Sequence, residues 1–246
     1  MASWMVHLRI ADKLLSSNSF LKAKEFIVGN IAPDSGVPNE DWSKFSPPTK
    51  ISHFKIPRED GKLIISVNKY KEKYFTSDLL DTYTPEQYSF YVGYLTHLLT
   101  DILWIERVFN PTATKDPNYS SDPSFAVSEW KKDWYDLDFL YLYEHPDFKA
   151  FATYRSAEGF ENTFMEEFSI EAFDNRRAYI CEFYSEDRKG LYREYPYLTA
   201  TQMDDFVEYA VGYISKELFN EAKNLIRNKK SKHARRKILY VCSFFC

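Results

Sequence analysis

The sequence predicts an all-α fold, and three observations carry the prediction. Glycine is scarce, at 7 of 246 residues, which leaves little material for the many tight turns of a sandwich or barrel. Apolar side chains recur at spacings of three and four from the first turn onward. Thr84-Pro85-Glu86-Gln87 combines an N-cap, a proline at the first helical position and a glutamine placed for a capping box. With 44% apolar and 18% aromatic residues, the chain is not disordered overall, and its length suffices to bury a core without disulfide staples.

The first helix is expected where Trp4, Leu8, Ala11 and Leu15 recur, with Arg9, Asp12 and Lys13 elsewhere on the wheel. A second should run from about Ser19, as N-cap, to Ile31. Residues 33–60 then change character. Pro33, Pro38, Pro47, Pro48 and Pro57 break any long helix, and Gly36 and Asn39 supply turn chemistry, so a long loop is expected here. Leu63-Ile-Ile-Ser-Val67 suits either a short strand or a helical turn. From Thr84 a central helix should run to about Phe109, stopped by Pro111. It is apolar almost all round between Phe90 and Ile105, the pattern of a buried helix. Helices follow over about 123–144, 146–157 and 169–189, and a long last one over 199–228, starting at Thr199 or Thr201. Residues 1–228 therefore read as one helical domain, and 229–246 as a basic, then apolar tail expected to be disordered.

The formal net charge is −4, and the tail carries six basic residues and no acids. With those six positive charges set aside, residues 1–228 carry −10. An acidic body argues against a duplex nucleic acid partner. Cys181, Cys242 and Cys246 cannot complete a disulfide framework. Met1–His7 lacks the charged and apolar regions of a secretory signal, and no stretch approaches the roughly 18 apolar residues of a membrane span. A cytoplasmic protein is expected. The tail, with Lys229–Lys237 ahead of Cys242 and Cys246, suits a weak peripheral contact with an anionic membrane; an inert extension is the simpler reading. The sequence is silent on oligomeric state.

His97 and Asp101 are four apart on the central helix and so share one face. A charged aspartate among Leu98, Leu99, Ile102 and Trp104 costs several kcal/mol unless it is paired or metal-bound. A core pair joined by one hydrogen bond would explain these two alone. His7 falls on the inward face of the first helix, where a satisfied core histidine is the plain alternative. His53 lies in the long loop, where a surface histidine would be ordinary, and Asp34 follows the second helix, where it could merely form a turn. Each plain reading is comfortable singly, but all must hold together to dismiss the set.

Trp4-Met-Val-His-Leu-Arg-Ile-Ala11, Gly29-Asn-Ile-Ala-Pro-Asp34, His53 and His97-Leu-Leu-Thr-Asp101 resemble the zinc-dependent phospholipase C family, most closely its intracellular bacterial branch. The resemblance covers residues 2 to about 228 and implies an all-α fold with zinc at its centre. It implies that Asp34 is a ligand or catalytic carboxylate, and that His53, His97 and Asp101 hold one zinc. Asp101 would bridge to a second zinc that His7 also binds. Two departures matter. Secreted members bind a zinc through the amine and carbonyl of an N-terminal tryptophan, whereas Trp4 has three residues before it. They also carry a further His followed by His-x-x-x-Glu or Asp. Here only His145 and His233 remain, with Lys149 and Lys237 four residues on. One Zn²⁺ is therefore expected; a second would need Asp12, Asp133, Asp136, Asp138 or Glu144.

Imidazole nitrogens and carboxylate oxygens suit zinc at about 2.0–2.2 Å. With water in the fourth position the ion would be catalytic, lowering the water's pKa toward about 7; filled by Asp34, the site would be closer to structural. The expected activity is hydrolysis of a small phosphodiester or phospholipid, with Asp34 as base or ligand. A non-catalytic helical protein retaining the pocket and a single-strand nuclease are the rivals. Arg176-Arg177 could receive a phosphate, although a solvated helix face is the plainer reading.

Overall fold

Helices α1 (Trp4–Ser16) and α2 (Ala23–Ile31) are followed by a 3₁₀ turn, Ala32–Asp34. The proline-rich stretch holds strands β1 (Val37–Pro38) and β2 (Phe45–Ser46), the single-turn α3 (Thr49–Ser52) and strand β3 (Lys55–Pro57). Strand β4 (Leu63–Ile65) and helices α4 (Val67–Tyr74) and α5 (Ser77–Thr82) lead to the central α6 (Pro85–Trp104). Then come a π turn, Ile105–Phe109, and α7 (Asn110–Lys115), α8 (Pro117–Ser121), α9 (Pro123–Glu144), α10 (Lys149–Arg155), α11 (Ala172–Phe183) and α12 (Ala200–Asn228). This computed structural model describes residues 1–41 and 43–228, the last ten as backbone only. The tail, with its expected disorder and membrane contact, lies outside the described residues. Among the described residues no helix is long and apolar enough to cross a membrane.

The fold is all-α, with the strands confined to two antiparallel pairs, β1 with β2 and β3 with β4. In the second, Lys55 faces Ile65 and Pro57 faces Leu63. The ambiguous stretch thus divides: Leu63–Ile65 is strand, and helix begins at Val67, where Ser66 Oγ accepts the Lys69 N–H. The capping box at Thr84 and Gln87 forms in both directions, and Thr199 with Gln202 makes a second one at α12.

Expected boundaries move at three helices, and the helix expected over 169–189 spans Ala172–Phe183. The second helix starts at Ala23, because Asn18–Leu21 closes its own turn and places Ser19 inside it. Lys22 occupies the N-cap, and its N–H is satisfied by Ser89 Oγ of α6 at 2.9 Å. The central helix does not stop before Pro111 but widens into the π turn and continues as α7. Proline lacks an N–H, and its ring would crowd the carbonyl four residues earlier; the wider turn relaxes that pairing.

Helices α2 and α6 cross with their backbones in near contact. A Cβ on Gly29 would sit 2.2 Å from the Phe90 carbonyl oxygen, and one on Gly93 would sit 2.1 Å from that of Phe26. Only glycine permits this approach, and it is fully buried beneath Phe26, Ile27, Phe90 and Tyr94. Gly29→Ala or Gly93→Ala should therefore force the helices apart and cost about 3 kcal/mol or more. At Gly212 in α12 an added methyl would have nothing within 4 Å, so Gly212→Ala should gain up to about 1 kcal/mol from helix propensity. Thermal melts of the three variants check this; a Gly93→Ala protein as stable as wild type would show that the crossing tolerates a side chain.

Candidate metal centre

One stripe of α6 builds most of the site. Tyr94, His97 and Asp101 follow at helical spacing, all fully buried. The Tyr94 hydroxyl donates to the Ser52 carbonyl and so fastens α3 to the central helix. His53 comes next in the chain, at the C-cap of α3 and fully buried rather than on the surface. Phe54 after it takes a left-handed backbone, φ 50°, a conformation costing roughly 1–2 kcal/mol for a residue with a side chain. Its ring is packed edge-on to Tyr70, Tyr74 and Tyr94, which holds the turn in place.

The glycine crossing sets the opposite wall. It brings the end of α2 against His97, so that His97 Nδ1 donates to the Asn30 carbonyl at 2.8 Å. That bond leaves Nε2 as the lone-pair atom, turned inward. His53 Nδ1 is bonded to Ser52 Oγ at 2.9 Å, and with Nδ1–H as donor its Nε2 is likewise free. Asp34, at the end of the 3₁₀ turn, has Oδ2 held by the Trp4 indole N–H at 3.1 Å. Asp101 Oδ1 accepts the Ala2 N–H at 2.9 Å. In each carboxylate one oxygen is tied and the other faces the cluster.

Two imidazole nitrogens each approach one oxygen of both carboxylates, and Asp34, His53 and His97 form one candidate ligand group. His53 Nε2 lies 3.3 Å from His97 Nε2, 3.4 Å from Asp34 Oδ1 and 3.5 Å from Asp101 Oδ2. His97 Nε2 is 3.6 Å from Asp101 Oδ2 and 3.9 Å from Asp34 Oδ1. Ligand atoms at the corners of a tetrahedron, each about 2.0–2.1 Å from a central zinc, are separated by about 3.3–3.4 Å. Asp101 Oδ2 is buried without any hydrogen bond, a costly state for a carboxylate oxygen unless a cation satisfies it. The residues fit a zinc ion.

His7 stands apart from this quartet. Its ring stacks on His97 at 3.9 Å, nearly parallel, and neither nitrogen makes a hydrogen bond; Nε2 lies 3.5 Å from Asp101 Oδ1. His7, His97 and Asp101 could form a second ligand group. However, His97 Nε2 already belongs to the first, and its Nδ1 is committed to Asn30. The acids that might have completed a second site are engaged elsewhere. Asp12 accepts the Ala150 N–H, Asp133 and Asp136 bind Arg193, Glu144 meets the Tyr192 hydroxyl, and Asp138 accepts from Ser3 and Tyr184. His145 is exposed and stacked on Tyr141.

Without a metal ion the cluster balances charge with a proton. Burial disfavours a charged His97, but Asp34 and Asp101 outweigh it and raise its pKa. Burial also opposes ionised carboxylates, yet His97 and the neighbouring rings hold Asp34 and Asp101 below the usual range. His7 is pushed down to about 4, by burial first and by His97 second, and is neutral at pH 7. A metal ion must displace the His97 proton, so affinity falls as pH is lowered.

The cluster is not sealed. Asp34, its side chain 10% exposed, lines a cleft of about 540 Å³ together with Ser52, Trp4, Phe45, Trp134 and Arg176. Sequence reasoning found all five histidines and aspartates of the cluster but missed what orients them. Asn30 could have been read from its place in Gly29-Asn-Ile-Ala-Pro-Asp34; the Ala2 and Trp4 contacts had no local signal.

A family model described as zinc dependent phospholipase C matches residues 6–175. The chain belongs to the zinc-dependent phospholipase C family. Comparison with curated proteins and with solved structures gives no match.

Two outcomes follow from this geometry. Saturating zinc at about 100 times its Kd should stabilise the wild type by about 2.7 kcal/mol, a Tm rise of roughly 5–10 °C at this size. Asp101→Asn keeps the acceptor for Ala2 but removes the charge, so in chelator it should melt close to wild type and with zinc gain little. Equal gains would remove Asp101 from the ligand set. The second concerns Asp138, pushed up to about 7 by burial despite its bonds to Tyr184 and Ser3. The folded protein then holds a proton that the unfolded chain, with a carboxyl near 3.8, releases. Stability should fall as pH rises from about 4 to 7 and level off above. Urea midpoints in chelator should show this slope in wild type and lose it in Asp138→Asn; identical slopes would mean that Asp138 is ionised in the fold.

Proposed function

We propose that this family member is a metal-dependent phosphodiester hydrolase of phospholipase C type. It would hold one zinc through Asp34 Oδ1, His53 Nε2, His97 Nε2 and Asp101 Oδ2. The observation that carries the reading is that the ligand atoms of Asp34, His53 and His97 meet just behind a cleft that Asp34 itself lines, with Asp101 buried beneath them. Family membership supports a phospholipid-type substrate. His7, unbonded beside Asp101, marks where a second ion would sit if one binds.

A zinc ion there would polarise a phosphoryl oxygen and make a water molecule acidic enough to attack near neutral pH. The chain's own residues do the rest. Asn30 and Ser52 keep both imidazoles as lone-pair donors at Nε2. Asp101, fully buried on α6, would offset the ion's charge and anchor the centre to the buried central helix. Asp34 is the member with an outlet to the cleft, so its Oδ1 can turn from ligand to proton acceptor for the attacking water while Trp4 retains Oδ2. Aromatic walls, with Trp4, Phe45 and Trp134, would exclude bulk water around the substrate.

A second reading has its own support. Four protein ligand residues, three of them fully buried, resemble a closed, structural site. Hydrolysis of bis-p-nitrophenyl phosphate separates the two. The hydrolase reading expects metal-dependent turnover that chelation or His97→Ala lowers by about 100-fold or more. It also expects Asp34→Asn to lower kcat by more than it lowers zinc content. One equivalent of tightly held zinc with no turnover would favour the closed centre, and turnover surviving both chelation and His97→Ala would place the chemistry elsewhere.

A further inference from the structure

Arg176 on α11 has no part in the hydrolytic reading above. The expected solvated Arg176-Arg177 face divides in the fold. Both arginines are largely covered, but Arg177 is paired with Asp174 at 2.6 Å, whereas Arg176, 7% exposed, faces the cleft. A guanidinium so deeply buried ordinarily faces a carboxylate. Among the described residues Arg176 has no acidic partner. One Nη donates to the Gly36 carbonyl at 2.8 Å, and its other N–H groups have no acceptor among the described residues. The residue lines the same cleft as Asp34.

The charge pattern of the cleft points the same way. Among its described lining residues the charged ones are Asp34, Lys131 and Arg176. Asp34 is turned to the metal cluster and the Trp4 indole, and Lys131 makes no ion pair among the described residues. Beyond the centre, therefore, the cleft carries two positively charged side chains and no negatively charged one. Two of its aromatic rings, Trp4 and Tyr179, are also engaged by Arg176. The Arg176 guanidinium lies 5.4 Å from the Tyr179 ring centre and 5.9 Å from that of Trp4, positions where a quaternary ammonium would otherwise be drawn.

We propose that Arg176 binds a phosphate group of the ligand in this cleft, which therefore takes anionic phosphoesters in preference to choline-bearing ones. The proposal rests on the cleft being the substrate site beside the centre, but not on turnover. A planar guanidinium with free donors matches phosphate oxygens in pairs, and burial strengthens each bond. The Gly36 contact fixes its plane, two residues beyond Asp34.

Calorimetric titration of the full chain with sn-glycerol 3-phosphate and with phosphocholine, in chelator and with one equivalent of zinc, tests it. Wild type should bind glycerol 3-phosphate about tenfold tighter than phosphocholine in both conditions. Arg176→Gln should weaken glycerol 3-phosphate by about tenfold or more and erase the preference, with zinc stoichiometry unchanged. Arg176→Lys, which keeps charge without the planar fork, should lose several-fold. If Arg176→Gln does not fold, the Arg176 Nε–H resonance of wild type serves instead, and should shift as glycerol 3-phosphate saturates. An unmoved resonance, a folded Arg176→Gln protein binding as tightly as wild type, or equal affinity for both ligands would overturn the proposal. Arg176-dependent binding in a protein that takes up no zinc would sink the hydrolase reading alone. Zinc uptake with Arg176-independent binding would sink this one alone.

Discussion

The candidate centre depends on two helices approaching more closely than side chains allow. Gly29 and Gly93 let α2 and α6 meet backbone to backbone, and everything that orients the cluster is referred to that contact. It places the Asn30 carbonyl on His97 Nδ1, and the 3₁₀ turn that follows α2 carries Asp34 to the other side of the same ring. Were the helices separated by an ordinary side chain, the carbonyl would no longer reach the imidazole, and the tautomer that leaves Nε2 open would lose its support.

Electrostatics then decides what such a site can contain. Three imidazoles and two carboxylates share a volume that is almost dry, where unpaired charge is expensive. The protein ties one oxygen of each carboxylate to an N–H and leaves the other facing two lone pairs. Lone pairs at hydrogen-bond range without protons between them repel, so the arrangement is at rest only with a cation or a proton inside it. The raised pKa of His97 follows from that requirement, whereas burial is the first cause of the lowered one of His7.

Much of this was legible in the residues. The i, i+4 pair His97 and Asp101 needs only helical periodicity, and the Thr84 capping box located its helix. Asp34 and His53 became visible through family resemblance, because loop residues have no periodicity to betray where they point. What stayed hidden was tertiary. Glycine scarcity was informative about fold class, yet the two glycines at the crossing could not be told from the rest without knowing which helices touch. Ser19 looks like a cap, but a turn at Asn18–Leu21 claims it. Pro111 looks like a stop, and a π turn absorbs it. Arg176 beside Arg177 looks like a solvated pair, but both are largely covered, and only Arg177 has a carboxylate partner among the described residues.

The order of the chain gives the site a division of labour. His7, Asp34, His53, His97 and Asp101 all fall within residues 7–101, and the groups that orient them lie in the same first part of the chain. The far wall of the cleft comes later, from Val127, Lys131, Trp134 and Tyr135 on α9 and from Arg176 and Tyr179 on α11. Substitutions at cleft-facing positions of α9 would reshape what the cleft admits, whereas those at Tyr179 and Phe183 of α11 would also reach Asp34 through Trp4. The first part of the chain thus holds the candidate ligands, and the later helices govern the approach to them.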